Sequence, residues 1–496
     1  MTQDLRKQMI NAAKWSTFAE LFAKLVVPIS TIVLARLLTP DAFGILVTAT
    51  MIISFAEIFS DAGFHKYLIQ HDFSSDEEKY KYVSVAFFCN LFMSFVIWGG
   101  ICLFSKKLAF LVGCPGKELV IIVSCICIPL AAFSSIQSAL FKRHFDFKTL
   151  FIARFVGSLI PLVITIPLAI LTHSYWSLIA GMIALNISNA LLLTIKSPWK
   201  PKLFFRFNYL SKMFSFSMWS MIESISIWLT GYIDIFIVGS VLNQHFLGIY
   251  RTSMSTVGQI TGLVTSATTP ILYSSLSRLQ KNDEEFRKIF FSFQKIVGLF
   301  VIPLCFGLYI FKDFCVNILL GEQWGEAVYF IGIWGLTSSV TITLAHYSSE
   351  VYRSKGKPKL SVLAQILHII VLVPVVLFFV HKNFEMLCTA RALIRLELII
   401  VNMVLMYAVV KISPFKMIYN ILPALMASSV MFAFVLFLPK PEENIWNLLY
   451  IIFAVLVYFG TISLFKDERL IVIKVINKVF SLLHVSHKQT GKDSSQ

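Results

Sequence analysis

Fourteen apolar runs, each long enough to cross a bilayer, recur along almost the whole chain and leave few alternatives for its fold. A helix of about 20 largely apolar residues spans the hydrocarbon core. The runs fall roughly at 11–35, 43–63, 82–104, 118–138, 150–171, 176–195, 213–238, 247–270, 289–311, 328–350, 360–380, 385–410, 417–438 and 445–465. Lipid offers no hydrogen-bond partner to the backbone, so each run must satisfy its own peptide groups as a helix. The expectation is an all-α polytopic membrane protein of about 14 transmembrane helices. An even number of spans places both termini on one side. Composition agrees: 57% of the 496 residues are hydrophobic and 14% charged, whereas a soluble domain carries about a quarter charged.

The formal net charge of +16 would suggest nucleic acid in a soluble chain. Its distribution points elsewhere, because Lys and Arg of membrane proteins concentrate in cytoplasmic loops. With the N-terminus inside, 31 of the 43 basic residues fall in inward segments, 6 in outward loops and 6 within spans or at their ends. The basicity therefore reads as topology, with cytoplasmic termini and no nucleic-acid partner. The first run holds Glu20 and Lys24 and lacks a small-residue cleavage pattern, so no cleavable signal peptide is expected. The eight cysteines show no metal-ligand spacing. No phosphate-binding GxxxxGK[ST], HExxH or Gly-x-Ser-x-Gly is present, and the outward loops are short. These features speak against an enzyme and against a metal or organic cofactor.

Residues 33–45 read VLARLLTPDAFGI and residues 237–249 read IVGSVLNQHFLGI. An offset of 204 residues aligns Ala35 with Gly239, Leu38 with Leu242, Gly44 with Gly248 and Ile45 with Ile249, while Arg36 becomes Ser240. Six predicted spans separate the two stretches, so both point the same way across the membrane. Parallel repeats of this kind place a substrate site between the halves. The expected organisation is an N-terminal lobe, 1–212 (spans 1–6), and a C-terminal lobe, 213–411 (spans 7–12). Spans 13 and 14 follow at 412–465, then a cytoplasmic tail at 466–496. Lys474, Lys478, Ser481 and His484 recur at helical spacing in that tail, as in a basic amphipathic helix on an anionic leaflet.

Charges inside spans are costly, about 2.5–3.5 kcal/mol each at the helix centre, and tend to face an interior cavity. Glu20 and Lys24 are four apart, in the favourable order for an ion pair. Arg391 and Arg395 are also four apart, both cationic, and should repel unless an anion or an acid sits opposite. The guanidinium fork suits phosphate. Arg391, Arg395, Arg36, Arg251 and Lys24 are therefore candidates for a cationic cavity holding a diphosphate. The plainer reading of Arg36 and Arg251 is that they reach the outer headgroups. Glu57 and Asp61, four apart, can bind a proton or Na⁺, as can Glu20, Glu223 and Asp234; the alternative is pairing with a base on another span. His368 is a candidate proton relay or a satisfied core residue. Tyr175, Trp176 and Trp324 suit sugar stacking or the interfacial aromatic belt.

The opening NAAKWSTFAEL, then VLARLLTPDAFG and SDAGFHKYLIQ, resemble the polysaccharide transporter family of Wzx-type flippases. That family lies within the multidrug, oligosaccharidyl-lipid and polysaccharide exporter superfamily. Its pattern after span 1 is met from Leu34 to Gly44, and its later form from Gly239 to Tyr250. The resemblance implies two six-helix lobes around a central cavity, often with two added helices. It implies alternating access that moves undecaprenyl-diphosphate-linked oligosaccharide to the outer leaflet of a bacterial inner membrane, without ATP and with H⁺ or Na⁺ coupling. Polysaccharide polymerase machinery is an expected partner. The alternatives are a lipid II type flippase or multidrug extrusion relative of the same fold, and a membrane enzyme of polysaccharide assembly. A drug exporter for cations should have an acidic cavity, which the arginines disfavour.

Overall fold

The structure, a computed structural model, describes residues 26–202, 204–439 and 444–473. Among them there is no β-strand. The helices that occupy the expected apolar runs are α1 (Val26–Leu37), α2 (Pro40–Asp61), α3 (Asp76–Leu103), α4 (Glu118–Arg143), α5 (Phe147–Thr172) and α6 (Trp176–Lys196). They continue as α7 (Phe207–Val241), α8 (Gln244–Arg278), α9 (Asp283–Ile310), α10 (Ala327–Ser354), α11 (Lys359–Phe379), α12 (Phe384–Val410), α13 (Pro414–Leu436) and α14 (Asn444–Ile462). Eleven are long and apolar enough to cross a membrane. The described parts of α1 and α14 are shorter apolar helices, and the hydroxyl-rich α8 is not among the eleven. The chain is a polytopic helical membrane protein; among the described residues eleven helices meet the length and composition of a crossing, and the other three expected runs are helical without meeting it.

Local chemistry sets the ends of these rods. Pro40 opens α2 at its first position, where the missing N–H has no intrahelical use, and Thr39 before it is extended. The turn after α1 is therefore only Leu38–Thr39, shorter than the stretch 36–42 that the apolar runs leave between the first two spans. Ser75 caps α3 by accepting from the Glu78 N–H, and Asn282 caps α9 by accepting from the Glu285 N–H. Both caps are followed by Asp-Glu-Glu, which complements the positive end of each helix dipole. Their sequences, SDEEKYK and NDEEFRK, are a further echo of the repeat. Within α5, Pro161–Thr165 is a π-helical turn, and within α10, Ile342–His346 is another. At Pro161 the cause is direct, since proline cannot donate to the α ladder.

The chain divides into two compact units. The first comprises the positions up to Thr256 together with Asn317–Ala327 and Leu372–Leu387; its largest core gathers Phe64, Tyr82, Phe87, Ile136 and Leu140. The second comprises Val257–Val316, Val328–Val371 and the positions from Cys388 on, around Phe286, Ile302, Met406, Met417 and Tyr458.

In the first unit the two repeated turns meet each other. A Cβ built on Gly44 would lie 1.9 Å from the Gln244 carbonyl oxygen, and one built on Gly248 would lie 1.9 Å from the Pro40 carbonyl oxygen. Gln244 is Pro40 plus 204, and Gly248 is Gly44 plus 204, so the contact is reciprocal about a local two-fold axis. Asp41 and His245, also 204 apart, face each other there, with Oδ2 3.2 Å from Nδ1; His245 Nε2 lies 3.3 Å from Glu326 Oε2. A second pair of contacts repeats the symmetry. Gly113, at φ +70°, approaches the Gly239 carbonyl, whereas Gln323 and Trp324 donate to the equivalent Ala35 carbonyl at 2.5 and 2.8 Å. Trp324, expected at an interface, is fully buried, with Phe43 edge-on at 5.2 Å.

Candidate functional site

The two arginines of α12 belong to the second unit and share one aromatic ring. The helix is interrupted at Ile394, between them. The guanidinium carbons of Arg391 and Arg395 lie 5.1 and 4.0 Å from the Trp334 ring centroid. Arg395 Nη1 donates to Ser338 Oγ at 2.8 Å and approaches Thr337 Oγ1 and the Trp334 carbonyl oxygen at 3.4 and 3.5 Å. Arg391 is 8% exposed. The repulsion that the sequence implied is thus met by an indole face and the hydroxyls of α10. Desolvated cation–π contacts are worth about 2 kcal/mol or more. The result is a rigid pair of cations at the depth of an apolar bundle, with guanidinium geometry suited to a phosphate. Two residues beyond Arg395, Glu397 Oε2 lies 2.9 Å from His368 Nδ1, so the expected lone histidine is one half of a pair.

The same unit holds a cavity of about 420 Å³ among α8, α9, α13 and α14, walled by Phe300, Leu304, Met431, Ile451 and Phe459. Its lining is almost wholly apolar, the chemistry of a hydrocarbon chain rather than of a sugar.

The remaining candidates lie in the first unit. Arg36 Nη2 donates to the carbonyls of Ile318 and Asn317 at 2.7 and 3.3 Å, which answers why an arginine sits at this turn: it ties down the segment before Gly321. Arg251 lies 5.7 Å from the Tyr232 ring, which stacks on Trp228 at 5.4 Å. Asp234 is 2% exposed; its Oδ1 accepts from the Ile235 N–H and its Oδ2 from the Tyr250 hydroxyl at 3.0 Å. Glu223 pairs with Lys66 at 2.8 Å, both partly exposed. Asp61 accepts from Ser135 Oγ at 3.2 Å. The Glu57 carboxylate, one turn earlier, has no hydrogen bond or ion pair among the described residues. Glu20 and Lys24, and the tail positions Lys474, Lys478, Ser481 and His484, lie outside the described residues. The structure therefore brings Arg391 and Arg395 together on Trp334, and within the first unit sets Glu57 and Asp61 one turn apart. Sequence reasoning missed Trp334, whose apolar surroundings conceal its role, and a cationic cavity around Lys142 and Arg154, which were counted as loop charges.

Residues 33–329 match the model of a family described as "Polysaccharide biosynthesis protein". The succinoglycan biosynthesis transport protein ExoT of Rhizobium meliloti (strain 1021) is 22% identical over 310 residues, 62% of each chain, so the chain spans less than two thirds of that relative's length. The lipopolysaccharide biosynthesis protein WzxC of Escherichia coli (strain K12) is 20% identical over 330 residues, 65% of each chain. Among solved structures, the lipid II flippase MurJ in an inward closed conformation superposes with a TM-score of 0.73 over 92% of this chain and 99% of that one, at 14% identity, which shows a common fold. With well over half its length matched by one family model, this chain belongs to the polysaccharide biosynthesis protein family.

Proposed function

We propose that the protein is a flippase that moves undecaprenyl-diphosphate-linked oligosaccharide from the inner to the outer leaflet of a bacterial cytoplasmic membrane, for surface polysaccharide assembly. The observation that carries this reading is the Arg391–Trp334–Arg395 group: two guanidiniums fixed at membrane depth, where their cost is justified by an anionic cargo. The apolar cavity of the same unit suits the prenyl tail of such a cargo. Family membership and the names of the relatives support transport rather than bond-making chemistry. Alternating access moves the cargo, driven by H⁺ or Na⁺; Glu57, whose carboxylate has no partner among the described residues, is the candidate carrier of the coupling ion. Both termini face the cytoplasm, the two repeated halves form the moving lobes, and the product is delivered to a polymerase on the outer face.

Complementation of a flippase-null strain tests this, with wild type, Arg391→Ala and Arg395→Ala at confirmed equal expression. Wild type should restore surface glycan, and each variant should restore less than about a tenth of it, the loss of one charged phosphate contact. Variants that restore glycan as well as wild type would show that these arginines only hold α10 to α12. If the strain lacks the matching glycan, flipping of a prenyl-diphosphate oligosaccharide in proteoliposomes decides.

A further inference from the structure

The first unit holds a cavity of about 710 Å³ inside the bundle of α4, α5 and α6, separate in sequence and in unit from the Arg391–Arg395 group. Its polar lining includes His65, Ser134, Ser138, Lys142, Arg154 and Asn189, with Ser135 and Ser158, and no carboxylate among the described lining residues. Lys142 is held in place: the His65 imidazole meets the Ser135 carbonyl oxygen through Nδ1 at 3.1 Å and presents Nε2 to Lys142 Nζ at 3.1 Å. Those two contacts require the neutral ring, a donor at Nδ1 and an acceptor at Nε2. Arg154 is exposed to the cavity and, among the described residues, has no ion pair or hydrogen bond; the same holds for Asn189 and the Ser138 hydroxyl. Asp61 lies behind Ser135 and within electrostatic reach of Lys142, so it offsets part of one charge. What remains is a surplus of positive charge and unused donors, facing a space of ligand size.

The rest of the wall is apolar. Phe147, Leu150, Phe151 and Leu193 surround the charges, and Pro161 with Leu185 forms the deeper end. Lys142 lies at the end of α4 and Arg154 about two turns into α5 from the α4–α5 turn, while Pro161 lies in the middle of α5. Cations at the rim and apolar walls running to mid-membrane depth match an amphiphile with a phosphate head.

We propose that this cavity binds the phosphate head of an anionic lipid from the leaflet at the α4–α5 turn, independently of the transported cargo. The phosphodiester accepts from Lys142 Nζ and the Arg154 guanidinium, with Asn189 and Ser138 on the flanking oxygens, and one chain runs past them to Pro161 and Leu185.

Native mass spectrometry of the full chain in mixed phosphatidylglycerol and phosphatidylcholine nanodiscs reads out which lipid stays bound. Wild type should retain phosphatidylglycerol over phosphatidylcholine by about tenfold or more. Lys142→Gln combined with Arg154→Gln should remove that preference, Arg154→Lys should keep most of it, and Lys106→Gln, at the far end of the bundle, should leave it unchanged. Thermal unfolding of each variant in detergent verifies folding, so a lost preference is read only from folded protein. Undiminished preference in the double variant overturns the proposal. A second arm titrates inorganic phosphate and short-chain dihexanoyl phosphatidylglycerol. Stabilisation by the lipid alone supports a headgroup site, whereas equal stabilisation by free phosphate at the same concentration makes this a site for soluble anions and overturns the lipid assignment. None of these readouts depends on flipping, so failure of the cargo assignment leaves the result intact.

Discussion

Replacing Gly44 or Gly248 with alanine should weaken the protein through a contact that no side chain now makes. At each position the new Cβ falls 1.9 Å from a carbonyl oxygen of the opposing turn, about 1.5 Å short of the 3.4 Å where ordinary contact begins. The obstacle is backbone, Gln244 in one case and Pro40 in the other, so no rotamer can yield. The two helix starts must move apart, a form of overpacking that costs about 1–3 kcal/mol. Alanine regains part of this, because its helix propensity exceeds that of glycine by about 0.8–1.0 kcal/mol. The net loss should be about 0–2 kcal/mol for either variant, which leaves each about 1–3 kcal/mol below a glycine-to-alanine change made in open space. Gly99→Ala and Gly100→Ala are the controls: nothing lies within 4 Å of a Cβ there, so both should hold or gain stability. Thermal unfolding of the purified full chain, followed by tryptophan fluorescence, measures the difference. The double variant sharpens it. Both substitutions open the same crossing, so the second should cost at least about 0.5 kcal/mol less than it does alone. Strict additivity, or Gly44→Ala as stable as Gly99→Ala, would refute the reciprocal contact.

Other expectations follow from single contacts. Arg36→Ala should lower stability by about 1 kcal/mol, a discounted value for an exposed charged donor, and Arg36→Lys should not recover the loss of a planar donor. Trp324→Phe keeps much of the buried ring but removes the donor to the Ala35 carbonyl, and unfolding should register about 1–3 kcal/mol. Lys295 Nζ and Glu468 Oε1 are 3.0 Å apart, with the Glu468 side chain 6% exposed. Lys295→Met should therefore destabilise by leaving a buried carboxylate unmatched, and adding Glu468→Leu should recover most of it. A double variant no better than the single would show that the pair is not coupled.

The bundle is legible in the sequence because lipid enforces a single rule on every apolar run, and the helices fall where the runs do. Helix starts are less so. The first turn looks longer from apolarity alone, yet Pro40 marks its end by chemistry visible in the sequence. Arg391 and Arg395 stand out by their cost in a membrane, but Trp334 lies 57 residues before Arg391 on another helix, and periodicity cannot name a partner at that distance. Lys142 and Arg154 show the opposite failure. Charge counting places them correctly near a turn and so explains them away, while the cavity they line depends on how α4, α5 and α6 pack. The glycines of the repeat align by sequence, although nothing in a linear chain says that aligned residues touch.

That meeting of Asp41 with His245 has a consequence for what a symmetric assembly is able to encode. In a dimer of identical half-length chains, position 41 at the axis would face its own copy, acid against acid, and any residue placed there would have to tolerate itself. Joining both halves in one chain lifts the constraint. An acid can answer an imidazole, Pro40 can end a turn where Gln244 reaches across to the Gly113 carbonyl oxygen and Thr48, and arginine on one side can stand for serine on the other. The glycines stay alike because backbone meets backbone there, while the side chains around them are free to specialise, so each half of the molecule can carry its own task.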